Sequence, residues 1–218
     1  LDASQYIAFS AVYTDEVAVG KDNGGQALSN LNFVLTPASA ASAAFWTGNY
    51  ASINAANRII EASAVVPVSS EEQAEFDAII AHAKAVRGLC HLVLLQMYTP
   101  ASDYTNDSAF GIPVMESVPK VDAQPRRNTV GETFAAILSD FNAAIPNIDN
   151  ISLAGDANSY LTADALTGYK AIVAAHTQNY SEAFALSQEL VNKYPLADVA
   201  TYPSIFDDTS DAEVIFKL

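Results

Sequence analysis

This sequence has little cysteine, little histidine and little positive charge, and each scarcity excludes something. Among 218 residues there is one cysteine, one tryptophan and three histidines, and Lys and Arg number 10 against 25 Asp and Glu. A single cysteine, Cys90, rules out an intramolecular disulfide. On a strongly apolar stretch its small thiol is expected to be buried rather than reactive. The net charge of -15 repels nucleic acid and anionic membrane surfaces. It suits solubility, and neutral or cationic ligands. His82, His91 and His176 form neither His-x-x-x-His nor His-Glu-x-x-His, so zinc on one helix is not encoded, and they read as packing or surface residues. No Gly-x-Ser-x-Gly elbow, phosphate loop or dinucleotide fingerprint is present, so no catalysis and no cofactor is indicated. Asp15 and Glu16 are adjacent and diverge on a helix, which makes a poor acid/base couple. Asp22-Asn23 misses the calcium-loop spacing and reads as a turn. No apolar run reaches the length of a membrane span. The chain starts at Leu1 with no basic-then-apolar leader, as in a mature or shortened form.

What is present is helical. Half of the residues are apolar, enough for a sizeable core, and abundant alanine favours close-packed helices. Residues 4–17 read as a first helix carrying Tyr6, Phe9, Val12 and Tyr13. Residues 19–44 show no convincing periodicity. From Phe45, the positions Trp46, Tyr50, Ile53, Asn57 and Ile60 recur at steps of four and three, which places them on one helix face. The Asn inside that stripe implies a partner helix offering hydrogen bonds. Trp46, Tyr50 and Ile53 are expected to pack on the next, central helix.

Ser70-Glu71-Glu72-Gln73 has the capping-box pattern and opens that central helix, with Phe76, Ile79, Ala83, Val86, Cys90, Val93 and Met97 on its apolar seam. Ile80, Leu89 and Leu94 widen the seam, so burial on more than one side follows. Arg87 lies beside the seam, where its stem would be buried and its guanidinium paired with a carboxylate or helix-end carbonyls.

Pro100, Pro113, Pro119 and Pro125 keep residues 99–128 out of regular helix, with Gly111 to Met115 as a short extended piece. Thr129-Val130-Gly131-Glu132 is a second capping box, launching Phe134, Ile137, Leu138, Phe141 and Ile145. Two helices over 162–177 and 180–193 meet at a tight Gln178-Asn179 turn. Tyr180, Ala183 and Pro195 stand at tetratricopeptide spacing, although Ala174 replaces that repeat's usual aromatic. Ile205-Phe206 and Val214 to Phe216 could form short strands. The whole reads as one mainly all-α domain over 1–218, built of antiparallel helix pairs with long loops at 18–44 and 99–128.

Sugar recognition needs flat aromatic faces beside amides or carboxylates. Two loops offer both: residues 20–36, with Asp22, Asn23, Gln26, Asn30 and Asn32, and residues 98–107, with Tyr98, Asp103, Tyr104 and Asn106. Polar loops commonly look like this without binding anything. The candidate ligand residues are Asp22, Asn23, Asn32, Tyr98 and Tyr104. A face built only from Asp22, Asn23, Asn32 and Tyr104 would be shallow, with affinity of the millimolar class, about 4 kcal/mol.

Several blocks, in order, resemble the SusD/RagB family. They are Thr14-Asp15-Glu16, Phe45 to Ile60, Ala83-Lys84-Ala85-Val86-Arg87 to Tyr98, Gly111-Ile112-Pro113-Val114, Arg127-Asn128-Thr129 with Asp140, Tyr160 through Ala183, and Glu213-Val214-Ile215-Phe216. Thr99-Pro100, His82 and Ile172 depart from the family's usual residues. The resemblance implies the helical, tetratricopeptide-like part of a non-catalytic outer-membrane lipoprotein, lipid-anchored at the cell surface. Such a protein captures glycan or another nutrient and delivers it to a SusC-type TonB-dependent transporter. A family member of this length would be short or truncated. The alternative is a tetratricopeptide-like scaffold for protein partners.

Overall fold

A computed structural model describes residues 9–14, 17–18, 20–22, 24–25, 28–34, 36–37, 39–151 and 157–217. The protein is all-α, and no strand is present among the described residues. It clusters into two compact units, one within Leu1–Ala51 and one spanning Ser52–Lys217.

In the first unit, residues 9–12 are helical and the chain turns at Tyr13, while Leu28–Leu31 forms one further helical turn. Phe9 packs on Tyr13 and Phe45, with centroids 4.7 and 5.0 Å away, and Tyr13 meets Phe33 at 5.3 Å. Helix α1 runs Ala40–Ser63. It therefore starts five residues before Phe45, because Ala40-Ala41-Ser42-Ala43-Ala44 is itself strongly helix-forming. The 18–44 loop is correspondingly shorter than its sequence suggests. Along the α1 stripe Ile53 is 1% exposed, whereas Trp46 keeps 38% of its surface in solvent and leans on Tyr50 at 4.8 Å.

The second unit is built on α2 (Gln73–Tyr98), α3 (Val130–Ala144), α4 (Ala163–His176), α5 (Tyr180–Lys193) and the short α6 (Tyr202–Phe206). Helix α2 packs on α3, α3 touches α4, and α4 pairs with α5. Leu89, Leu92 and Leu95 of α2, Ile137 and Phe141 of α3, and Leu166 and Val173 of α4 share one buried core. Helices α2 and α3 approach tightly at Gly88, where a Cβ would lie 2.9 Å from the Phe141 ring and 3.1 Å from Asp140 Cβ.

Several local expectations need correction. Helix α2 begins at Gln73, and its N-cap Glu72 makes no side-chain cap; Ser69, not Ser70, is the hydroxyl that meets Glu72, donating to Oε2 at 2.7 Å. The seam of α2 is also rotated. Ala78, Ala81 and Ala85 are fully inside while Ile79 is 43% exposed, since alanines permit the closer helix contact. Helix α2 is long and apolar enough to span a membrane, contrary to the reading of its sequence, but 67% of that window is buried within the protein, as befits a core helix. Ile205 and Phe206 lie in α6, and Val214 to Phe216 form no strand; Ile215 and Phe216 pack by side chain on the core instead.

Other expectations hold. The Thr129–Glu132 capping box is complete, with Glu132 N–H donating to Thr129 Oγ1 at 3.2 Å and Thr129 N–H to Glu132 Oε2 at 2.9 Å. Thr162 caps α4 and Asn179 caps α5, and Gln178 closes the turn between them at φ 59°. Tyr194 Oη donates to Asp164 Oδ2 at 2.7 Å, tying the end of α5 to the start of α4. That bond, with burial, pushes the Tyr194 phenol up to about 12.

Candidate functional site

The most organised polar feature of the second unit lies under the 99–128 loop. Arg87, on α2, is 6% exposed. Its Nε donates to Asp140 Oδ2 at 2.8 Å and its Nη2 to Asp140 Oδ1 at 2.6 Å. Its Nη1 donates to Asn57 Oδ1 at 2.8 Å and to the Glu116 carbonyl at 3.0 Å. Burial alone would lower the Arg87 pKa, but the Asp140 bonds and charge outweigh it and raise the pKa above its ordinary value. The planar fork suits a two-point carboxylate pair in a way no lysine could.

Asn57, 1% exposed, completes the arrangement from α1. Its amide donates to the carbonyls of Met115 at 2.9 Å and Ser117 at 3.0 Å. The Asn in the α1 stripe thus has one helical partner, Arg87, and two partners in the loop. Glu61, one turn on, accepts the Val118 N–H at 2.7 Å. His91 Nε2 accepts the Met115 N–H at 3.1 Å. Burial, then the neighbouring Arg87 charge, pushes His91 down to about 4, so the ring is neutral and carries its proton on Nδ1, which has no hydrogen-bond partner among the described residues. Asn128 Oδ1 accepts the Val114 N–H at 2.9 Å, and its backbone brackets Gly111 and Ile112. From Gly111 to Val118 the chain forms no regular secondary structure, and its backbone groups from Val114 on are held by side chains rather than by a neighbouring strand.

The residues singled out from the sequence are scattered. Asp22 and Asn32 are exposed in the first unit, in a turn and just past the Leu28–Leu31 turn respectively. Asn23, like Asp15, Glu16 and Gln26, lies outside the described residues. Tyr98 is half-buried at the end of α2. Tyr104 is a correction: it is 5% exposed, with its ring against Phe134 and His176 at 5.8 and 5.0 Å, so it belongs to the core and cannot stack on a ligand. Polar neighbours made 98–107 look like an open loop, but the 3-10 turn Ala101–Asp103 tucks Tyr104 inward.

Sequence reading missed His91, Glu61 and Arg127 as loop holders. Their only signal is position, on helix faces beside Arg87 and Asn57 or at the loop's end. A groove of about 470 Å³ between α1 and α2 is lined by Ala56, Ile59, Ile79, His82, Val86 and Tyr160, and is too apolar to suit sugar hydroxyls. Cys90 is fully buried, and burial pushes its thiol up to about 11, which makes it inert. Among the described residues no cluster of His, Cys, Asp or Glu is placed to hold a metal.

Comparison with known proteins fits this architecture. A SusD superfamily protein from Bacteroides vulgatus superposes with a TM-score of 0.74 at 17% identity, over 85% of this chain and 43% of that one. A SusD superfamily protein from Bacteroides fragilis gives 0.69 at 25% identity, over 90% and 45%. A laminarin-binding SusD-like protein gives 0.66 at 17% identity, over 94% and 48%. The chain spans less than half the length of each of these structures. No curated protein matches the sequence. The SusD-like family profile, described as starch-binding and associating with the outer membrane, matches residues 8–173, so the chain belongs to the SusD-like family.

Proposed function

We propose that this chain is the helical part of a surface protein that captures glycan without catalysis and passes it to a SusC-type TonB-dependent transporter, held at the outer membrane by a lipid anchor. The observation that carries this reading is the family match over residues 8–173, which joins the α1 stripe, the Arg87 cradle and helix α4 in one assignment. The cradle supports it physically. It uses a buried ion pair and a buried amide to fix the course of a loop, which is what a binding surface needs and a plain core does not. The candidate ligand contacts are Asp22, Asn23 and Asn32 before α1, and the loop that follows Tyr98; of the three before α1, Asp22 and Asn32 are described and exposed. Tyr104 is left out because it is buried.

The test is a glycan array probed with the purified chain, followed by titration of the best hit against backbone amide shifts. Shifts in the loops around 20–36 and 98–128 are expected. Shifts confined to α4 and α5 would overturn the loop assignment. They would favour a tetratricopeptide-like scaffold instead, a reading supported by Tyr180, Phe184 and Val191, which stand 65%, 69% and 59% exposed along α5.

A further inference from the structure

A second groove of about 470 Å³ runs along α4. Gly168, Tyr169 and Ile172 of that helix face Ile205 of α6 and the returning chain at Glu213 and Phe216. Glu213 is the one charged residue among those that line it.

Two features set Glu213 apart. Its backbone lies in the left-handed region at φ 59°, which a residue other than glycine enters only at a cost. Its side chain is half engaged: Ala197 N–H donates to Oε2 at 2.8 Å, while Oε1 accepts from no group among the described residues. The nearest lysine in sequence, Lys217, is committed elsewhere, with Nζ at 2.7 Å from Asp208 and 3.1 Å from Asp211. Among the described residues no ion pair neutralises Glu213. Residues 207–217 hold Asp207, Asp208, Asp211 and Glu213 against that single lysine, so the field at this end of the groove is negative.

The walls add two aromatic rings. Tyr169 and Phe216 stand at 70° with centroids 6.5 Å apart, so they meet as a corner rather than a stack. Phe141 steadies the Tyr169 ring from the core at 6.2 Å, and Phe216 packs on the same core. The faces of such rings attract cations, more strongly where water is partly excluded.

We propose that this groove binds a small organic cation, an alkylated ammonium whose charge lies between the Glu213 carboxylate and the Tyr169–Phe216 corner and whose apolar substituents lie against Ile172 and Ile205. The site is independent of glycan capture. A sugar would leave most of its hydroxyls unpaired against these walls. Apolar grooves are common on protein surfaces and need no ligand to explain them. A carboxylate with one free oxygen, on a strained residue beside two angled rings, is what distinguishes this one.

The experiment is a titration of the isotope-labelled chain with choline, followed by backbone amide shifts. The comparison ligand is 3,3-dimethyl-1-butanol, which has the same shape and no charge. Choline should give saturable shifts at Gly168, Ile172 and Val214, and the neutral alcohol should bind at least about fivefold more weakly. Glu213→Gln keeps an acceptor for the Ala197 N–H and removes the charge, so it should weaken choline binding about tenfold. Asp207→Asn removes the same charge from an exposed position outside the groove and should change the affinity by less than about twofold. Should Glu213→Gln fail to fold, Phe216→Leu keeps the apolar bulk, loses the ring, and should weaken choline severalfold. Equal affinity for the two ligands, unchanged affinity in either groove variant that folds, an equal loss in Asp207→Asn, or no saturable shift at the three amides overturns the cation site. None of these outcomes bears on glycan capture.

Discussion

Arg87 and Asp140 meet side-on, two nitrogens to two oxygens, at 2.8 and 2.6 Å, with both side chains 8% exposed. The pair joins α2 to α3 at the level of Gly88, where those helices press together. The remaining guanidinium nitrogen reaches out of the helix pair to the Glu116 carbonyl. One side chain thus links core packing to the course of a loop.

Arg87→Ala should lower stability by about 3–5 kcal/mol, because it leaves the Asp140 carboxylate buried and unpaired. Thermal unfolding measures this directly. An unchanged melting temperature would show that the pair does not hold the helices. Arg87→Lys should recover only part of the loss, since an ammonium cannot reproduce the fork.

Asn57→Ala should cost about 1–3 kcal/mol, since it strips the Met115 and Ser117 carbonyls and Arg87 Nη1 of a partner. Its sharper signature is local. Hydrogen exchange at the Met115 and Val118 amides should accelerate more than exchange in the core of α3. Uniform acceleration across the unit would mean that Asn57 supports the fold as a whole rather than the loop.

His91 gives a pH dependence with a definite sign. Its ordinary pKa is 6.5, and in the folded chain it lies near 4. The unfolded chain therefore takes the proton first. The contribution is complete above about pH 6.5 and is lost as pH falls toward 4, amounting to about 3 kcal/mol at most. Urea titrations at pH 7 and pH 4.5 should show a smaller pH-dependent loss in His91→Gln than in wild type. Equal losses would remove His91 as the cause.

Gly88→Ala should destabilise by about 1–3 kcal/mol, because its methyl would press on the Phe141 ring and Asp140 Cβ where neither can withdraw freely. Gly168→Ala is the control. Among the described residues a Cβ there meets only Leu190 Cδ1, at an ordinary 3.5 Å, and alanine is the better helix former. A gain or no change in Gly168→Ala beside a loss in Gly88→Ala is the expected pattern, measured by chemical denaturation.

The helices were legible in the sequence because their signals are local. Thr129-Val130-Gly131-Glu132 encodes its own cap, and α4, α5 and the Gln178-Asn179 turn can be read from spacing alone. Arg87 could be marked as structural because it borders an apolar seam, and Asn57 because it interrupts one. Their meeting could not be read, since Asn57, Arg87, Met115 and Asp140 lie dozens of residues apart and no local rule connects them. Tyr104 shows the opposite failure. Its polar neighbours resemble a binding loop, and only the tertiary fold turns the ring inward.

Side chains hold the Gly111–Val118 segment by its amides and carbonyls, and almost any residue brings those along. Asn57, Arg87, His91 and Asn128 would keep the same path under a different set of side chains on Val114, Glu116 or Ser117. Such a segment separates what must stay constant from what can vary. Its anchors lie in helices under packing constraint, and its outward side chains are released from holding it in place. Exchanges among those outward side chains are expected to change the surface the segment presents at little cost to folding.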